Sequence, residues 1–174
     1  MTFVLVIGSG ARESIIIKKI LDDAKKINER VEIICIKTQE NTSIDEMCMK
    51  VYPMKYDVYE TMLQIDEEEQ EEIGFCIIGP EAPLEQQYAD YFEIQQIQCI
   101  GPMQYYAQLE TSKQFCRNFL HSDTFLKKYS PKFNIIEPKE KTYESIQTIF
   151  HEFNETVIKK DGLCGGKGVT VQGY

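Results

Sequence analysis

The stretch Phe3-Val4-Leu5-Val6-Ile7-Gly8-Ser9-Gly10 decides how the rest of the chain is read. Consecutive apolar residues closed by two glycines predict a strand buried on both faces, followed by a tight turn. Ala11 to Ile27 then places apolar residues at Ile16, Ile17, Ile20, Leu21, Ala24 and Ile27, the spacing of an amphipathic helix. The alternation repeats. Val31–Ile36 is a second buried run, residues 38 to 50 are polar with room for one short helix, and Val51–Tyr52 adds a short strand. Tyr56–Ile65 reads as helix, Phe75–Ile78 as strand, residues 84 to 95 as helix and Ile97–Ile100 as strand. Strands alternating with helices specify an α/β fold, a doubly wound parallel sheet covered on both faces. Ligands of such sheets sit beyond the carboxyl ends of the strands. The turns at Gly8–Gly10, Gly79–Glu81 and Gly101–Pro102 all follow strands and are expected on one edge.

Composition narrows the function classes. The 174 residues are 43% hydrophobic and 27% charged, which is globular composition and excludes a disordered or fibrous chain. A net charge of −9 argues against nucleic acid as a partner, because phosphate-backbone binding needs clustered cations. No apolar run approaches the roughly 18 to 20 residues of a membrane span. The apolar start has no basic flank, so it reads as a strand rather than a signal peptide. Six cysteines contain no C-x-x-C pair and only two histidines accompany them, so no metal site is expected. Buried, reduced thiols in a cytoplasmic protein are the expectation. The run Asp66-Glu67-Glu68-Glu69-Gln70-Glu71-Glu72 reads as the solvated, frayed end of the preceding helix. Beyond residue 103 the pattern predicts one long helix from Tyr105 to Leu120, a strand over Pro131–Ile136, a helix over Tyr143–Phe153 and a strand over Thr156–Lys159.

Four of the ten glycines lie between Gly162 and Gly168, bracketed by Lys159, Lys160 and Lys167. Glycine lets backbone N–H groups crowd an anion, and lysine supplies the charge a polyphosphate needs. The spacing is not that of a Walker A loop. The alternative is a hairpin whose glycines only serve the turn, but such a turn needs neither this length nor lysine, so phosphate binding is favoured. Gly8-Ser9-Gly10-Ala11-Arg12-Glu13 approximates the dinucleotide fingerprint but has Glu13 at the third glycine position. Lys37, not an acid, follows the second strand, which disfavours NAD. A smaller phosphate-bearing ligand and a ligand-free turn both stay open there.

Taken together, VLVIGSGARE (4–13), IIGPEAPL (77–84), IGP (100–102) with AQLETSKQFCRNF (107–119), and VIKKDGLCGGKGV (157–169) resemble the phosphoribosylamine–glycine ligase family of ATP-grasp enzymes. The resemblance implies a Rossmann-like pre-ATP-grasp domain over residues 1–103, a connecting helix over 104–120 and the incomplete first lobe of an ATP-grasp domain over 121–174. It implies an ATP-dependent carbon–nitrogen ligase of purine biosynthesis, with glycine, phosphoribosylamine, ATP and magnesium as its small molecules. In that reading Lys113 and Lys159 contact the ATP phosphates, and Gly162, Gly165, Gly166, Lys167 and Gly168 form the loop over them. Gly8, Gly10, Arg12, Glu13, Asn41, Pro80 and Glu81 face the phosphoribosylamine.

The chain departs from the family pattern mainly on the sugar-phosphate side. The family's Gly-Gly-Arg-Glu-His reads Gly10-Ala11-Arg12-Glu13-Ser14, its Pro-Gly-Asn reads Gln39-Glu40-Asn41, and Tyr105 and Tyr106 replace small residues. The family's magnesium-holding acids fall beyond Tyr174, so these residues alone are expected to be inactive in ligation. Exposed apolar surface on the partial lobe is expected to favour self-association. The alternative function is a truncated pseudo-enzyme or a binding module for a phosphorylated ligand or partner protein. An NADP-dependent oxidoreductase ranks last, since it assigns no role to the Gly-Pro-Glu or Gly-Gly-Lys-Gly segments.

Overall fold

Strand β1 (Thr2–Ile7) is the centre of a five-stranded sheet in the order β3-β2-β1-β4-β5, all parallel. The computed structural model describes residues 2–55, 57–136, 143–153 and 155–171. The elements around β1 are α1 (Ala11–Lys26), β2 (Val31–Lys37), α2 (Thr42–Met47), β3 (Lys50–Pro53), α3 (Val58–Met62), α4 (Glu67–Glu71), β4 (Ile73–Ile78), α5 (Glu81–Glu85), α6 (Tyr88–Ile94) and β5 (Gln98–Ile100). Then follow α7 (Gln104–Thr111), α8 (Lys113–Ser122), a 3-10 turn (Leu126–Tyr129), α9 (Tyr143–Glu152), β6 (Val157–Lys159) and β7 (Val169–Val171). Two compact units result, Met1–Ala107 and Gln108–Tyr174.

In the first unit successive residues of β1 serve opposite faces, as the period of two in a strand requires. Phe3, Leu5 and Ile7 join Ile34, Ile36, Met62, Tyr88 and Phe92 under α3 and α6. Val4 and Val6 join Ile33 and Cys35 under Ile17 of α1 and Ile44 of α2. Each fully buried aliphatic side chain contributes on the order of 1.5–3 kcal/mol, so this two-faced core dominates the unit's stability. Tyr88 adds a deep polar tie. The Tyr88 hydroxyl lies 2.6 Å from Thr61 Oγ1 and donates to the Lys55 carbonyl at 2.9 Å. Tyr88→Phe is expected to cost about 1–2 kcal/mol, read as a lowered urea midpoint at unchanged slope.

The second unit contains α8, α9 and the antiparallel hairpin β6–β7, all six of whose strand residues are exposed. Ser112 caps α8 by accepting from the Phe115 amide at 3.0 Å.

Four expectations are corrected. The single helix expected from Tyr105 to Leu120 is two, because Ser112 adopts extended backbone to cap α8. The helix expected over residues 84–95 is broken where Gln87 takes a left-handed φ of 64°. Pro131–Ile136 carries no strand. β propensity needs a neighbouring strand to act on, and this segment docks instead through side chains. Phe133 meets the His121 ring edge-on at 5.3 Å, and Lys132 lies over Phe153 at 4.8 Å. The acidic run is a helix of its own, α4, not a frayed end of the preceding one. Asp66 and Glu67 therefore stand at a helix N-terminus, where the dipole favours carboxylates, while Glu71 and Glu72 stand at its C-terminal end. Lys50 pairs with Asp66 and Glu69, and the Gln70 side chain donates to the carbonyls of Met62 and Ile65. The helix expected over Tyr56–Ile65 is α3, Val58–Met62; Tyr56 itself lies outside the described residues. Among the described residues no helix is long and apolar enough to cross a membrane.

Candidate functional site

Because β1, β2, β4 and β5 run parallel, the turns that follow them share one sheet edge. The order reverses at β1, whose successors lie to one side through β2 and to the other through β4, which is where doubly wound sheets open a crevice. Gly8, Gly10, Arg12 and Glu13 come from the β1–α1 turn, Asn41 from the β2–α2 loop, and Pro80 and Glu81 from the β4–α5 turn.

Glu13 knits two of these turns together. It is 3% exposed, its Oε2 accepts from the Gly10 amide at 2.6 Å, and its Oε1 accepts from Arg12 Nε at 3.1 Å. The carboxylate lies so close to the β4–α5 turn that a Cβ at Gly79 would stand 2.1 Å from Glu13 Oε1. A Cβ at Gly8, whose φ is +117°, would stand 2.6 Å from Pro80 Cδ. The glycines let the turns close over Glu13, and both carboxylate oxygens are engaged within the protein. Arg12 is the outward-facing partner, with a side chain 60% exposed and an Nη2 3.7 Å from Glu81 Oε1. Arg12 is thus an exposed cation at this sheet edge, steadied by two acids.

The β2–α2 loop is fastened by a residue that sequence reasoning passed over. Ser9 is fully buried, and its Oγ accepts from the amides of Thr38 (3.1 Å) and Gln39 (2.8 Å) while donating to the Gln39 carbonyl. Asn41 Nδ2 donates to the Ser9 carbonyl at 2.9 Å, and its Oδ1 accepts from Ser43 N as the cap of α2. The signal was a small hydroxyl between two glycines at a strand end. Lys37, the last residue of β2, is paired with Glu40 and Asp45, which hold its ammonium above its ordinary pKa.

In the second unit the hairpin tip carries three left-handed glycines, Gly162 (φ 82°), Gly165 (φ 53°) and Gly166 (φ 76°), each with open space where a Cβ would stand. Gly168 is different, since a Cβ there would meet Cys164 at 2.8 Å. Lys160 N donates to the Gly168 carbonyl and Lys167 N to that of Cys164, so the loop has a defined neck. Lys113, first residue of α8, donates from Nζ to the Gly162 carbonyl at 2.7 Å. Asp161, quoted in the sequence but given no role, accepts from the Lys113 amide at 2.6 Å, the Gln114 amide at 3.2 Å and the Ser112 hydroxyl at 3.1 Å. Partial burial opposes its ionisation, but these bonds together with the Gly162 amide hold its carboxyl below the ordinary 3.8. Lys159 and Lys167 are exposed on the hairpin.

All six cysteines are free thiols, with Cys35 and Cys76 buried. A depression of about 550 Å³ along edge strand β5, lined by Phe75, Glu93, Gln98, Cys99 and Ile100, includes none of the expected site residues. Among the described residues no group of three or more His, Cys, Asp or Glu is placed to hold a metal ion.

The profile described as "Phosphoribosylglycinamide synthetase, N domain" matches residues 2–110. Phosphoribosylamine–glycine ligase of Methanocaldococcus jannaschii is 34% identical, over 98% of this chain and 36% of that protein. The ligase of Neisseria meningitidis is 31% identical, over 96% of this chain and 36% of its own length. The chain thus spans about 36% of the length of these relatives. Among solved structures, N5-carboxyaminoimidazole ribonucleotide synthetase from Thermotoga maritima (TM-score 0.59, 14% identity) and an N5-carboxyaminoimidazole synthetase from Staphylococcus aureus (TM-score 0.63, 12% identity) each align with 98% of this chain and 40% of theirs. At that identity they show a shared fold.

Proposed function

This chain belongs to the phosphoribosylglycinamide synthetase family, and from that premise we propose that it supplies the phosphosugar side and part of the nucleotide side of an ATP-dependent ligase of purine biosynthesis. In the whole protein the glycine carboxylate takes the γ-phosphoryl group of ATP, releasing ADP. The amine of phosphoribosylamine then displaces phosphate, forming the amide.

The observation that carries this reading is the exposed Arg12 guanidinium at the strand-order reversal, braced by Glu13 and Glu81. A guanidinium offers a planar fork of donors that matches a phosphate. Arg12 therefore holds the sugar phosphate. Glu81 is the acceptor for a ribose hydroxyl, and Glu13, Gly8, Gly10, Pro80 and Asn41 keep the turns in place.

On the nucleotide side, Lys113, Lys159 and Lys167 offset the charge of the ATP phosphates. Gly162, Gly165, Gly166 and Gly168 let backbone come close to them. Positioned cations of this kind stabilise the charge that moves onto the transferring group.

Titration calorimetry of the purified chain tests both sides, with ATP and with ribose 5-phosphate as probe of the phosphosugar pocket. Arg12→Ala should weaken ribose 5-phosphate about tenfold and leave ATP unchanged, whereas Lys159→Ala should do the reverse. Mutual competition between the two ligands, or an Arg12→Ala chain with unaltered ribose 5-phosphate binding, would remove the proposal.

A further inference from the structure

A two-stranded hairpin is marginal on its own, and the strand residues of β6–β7 are all exposed. Apolar burial therefore does little to fix where its lysines stand. The polar bonds at its base are different in kind. Asp161 gathers the Ser112 hydroxyl and the amides of Lys113 and Gln114, while Lys113 Nζ returns to the Gly162 carbonyl. With Ser112 accepting from Phe115, the first three amides of α8 are satisfied from within the chain. The hairpin base and the start of α8 are joined by reciprocal bonds, with carboxylate to amide in one direction and ammonium to carbonyl in the other.

We propose that Asp161 is a positioning residue. It fastens the glycine-rich hairpin to the start of α8, so that Lys113 and Lys159 address the same phosphate chain. The proposal rests on the nucleotide reading above and extends it. Without the bond, Lys113 on a helix and Lys159 on a free-standing hairpin would each have to be ordered by the ligand, and that ordering lowers affinity. A second consequence follows for the binding mode. Because the carboxylate occupies the amides at the start of α8, the phosphates are held by lysine side chains and hairpin backbone, not by that helix terminus.

Three measurements on the purified chain test it. In the absence of nucleotide, Asp161→Ala should raise amide exchange at Lys113 and Gln114. With ATP, Asp161→Ala should weaken binding about tenfold, while Asp161→Asn, which keeps an acceptor oxygen, should stay within about threefold of wild type. A cycle pairing Asp161→Ala with Lys113→Met should be non-additive for ATP affinity, a coupling that loss of general stability does not produce. If Asp161→Ala does not fold, Asp161→Ser, whose shorter side chain also gives up the two amides, takes its place in the cycle. Unchanged ATP affinity in Asp161→Ala, an Asp161→Asn chain as impaired as Asp161→Ala, or strict additivity would overturn the proposal. A wild-type chain that takes up no ATP would defeat the nucleotide reading instead, and the exchange experiment would still report on the fastening.

Discussion

Gly79→Ala should destabilise the first unit by about 2–4 kcal/mol, combining overpacking with the displacement of a buried, hydrogen-bonded carboxylate. The new Cβ would stand 2.1 Å from Glu13 Oε1, 2.6 Å from Cδ and 2.7 Å from Cγ. A flexible side-chain end at the surface would swing away from such a contact. Glu13 is buried and held by Gly10 and Arg12, so its movement breaks both bonds and opens the β1–α1 turn. Urea unfolding followed by circular dichroism reads the loss. The double variant Gly79→Ala with Glu13→Ala should recover part of it, because the space vacated by the carboxylate accepts the methyl group. A Gly79→Ala chain with a wild-type urea midpoint would contradict this account of the paired turns.

Ser9→Ala should cost about 2–3 kcal/mol, the magnitude that follows when buried amides lose their acceptor. The hydroxyl is the acceptor for Thr38 N and Gln39 N, and alanine offers nothing in its place. Thr38→Ala is the control. It removes a single 3.3 Å contact to the same hydroxyl and should change stability by no more than about 0.5 kcal/mol. Equal effects from the two substitutions, measured by denaturant unfolding, would place the loop's stability elsewhere.

The sheet was legible because β1, β2 and β4 are short apolar runs stopped by polar or glycine turns, and a parallel strand buried on both faces has no other pattern to show. Its ligand-facing edge followed from direction alone. Helix interruptions were not legible. The stretches around Ser112 and Gln87 keep helical spacing on both sides, and each break is one residue's dihedral choice within an unbroken periodicity. The strand expected over Pro131–Ile136 shows the reverse limit, since local preference does not supply a pairing partner. Within the candidate site, the glycines and Arg12 stood out by motif. Ser9 and Asp161 did not, because their partners Thr38, Gln39, Ser112 and Lys113 lie about 30 and 48 residues away in the chain.

The central place of β1 also sets the order in which the molecule can be made. During synthesis β1 emerges before the strands that flank it, and β2 can pair with it across α1 as soon as Lys37 is free of the ribosome. Its other flank must wait for β4, whose Phe75 pairs with Val4 from far along the chain. Until then one edge of the innermost strand offers unpaired backbone groups and half-covered apolar faces, the condition in which nascent chains aggregate. Sequence-distant parallel pairing closes slowly. The nascent protein therefore passes through a stage in which its future centre is an open border.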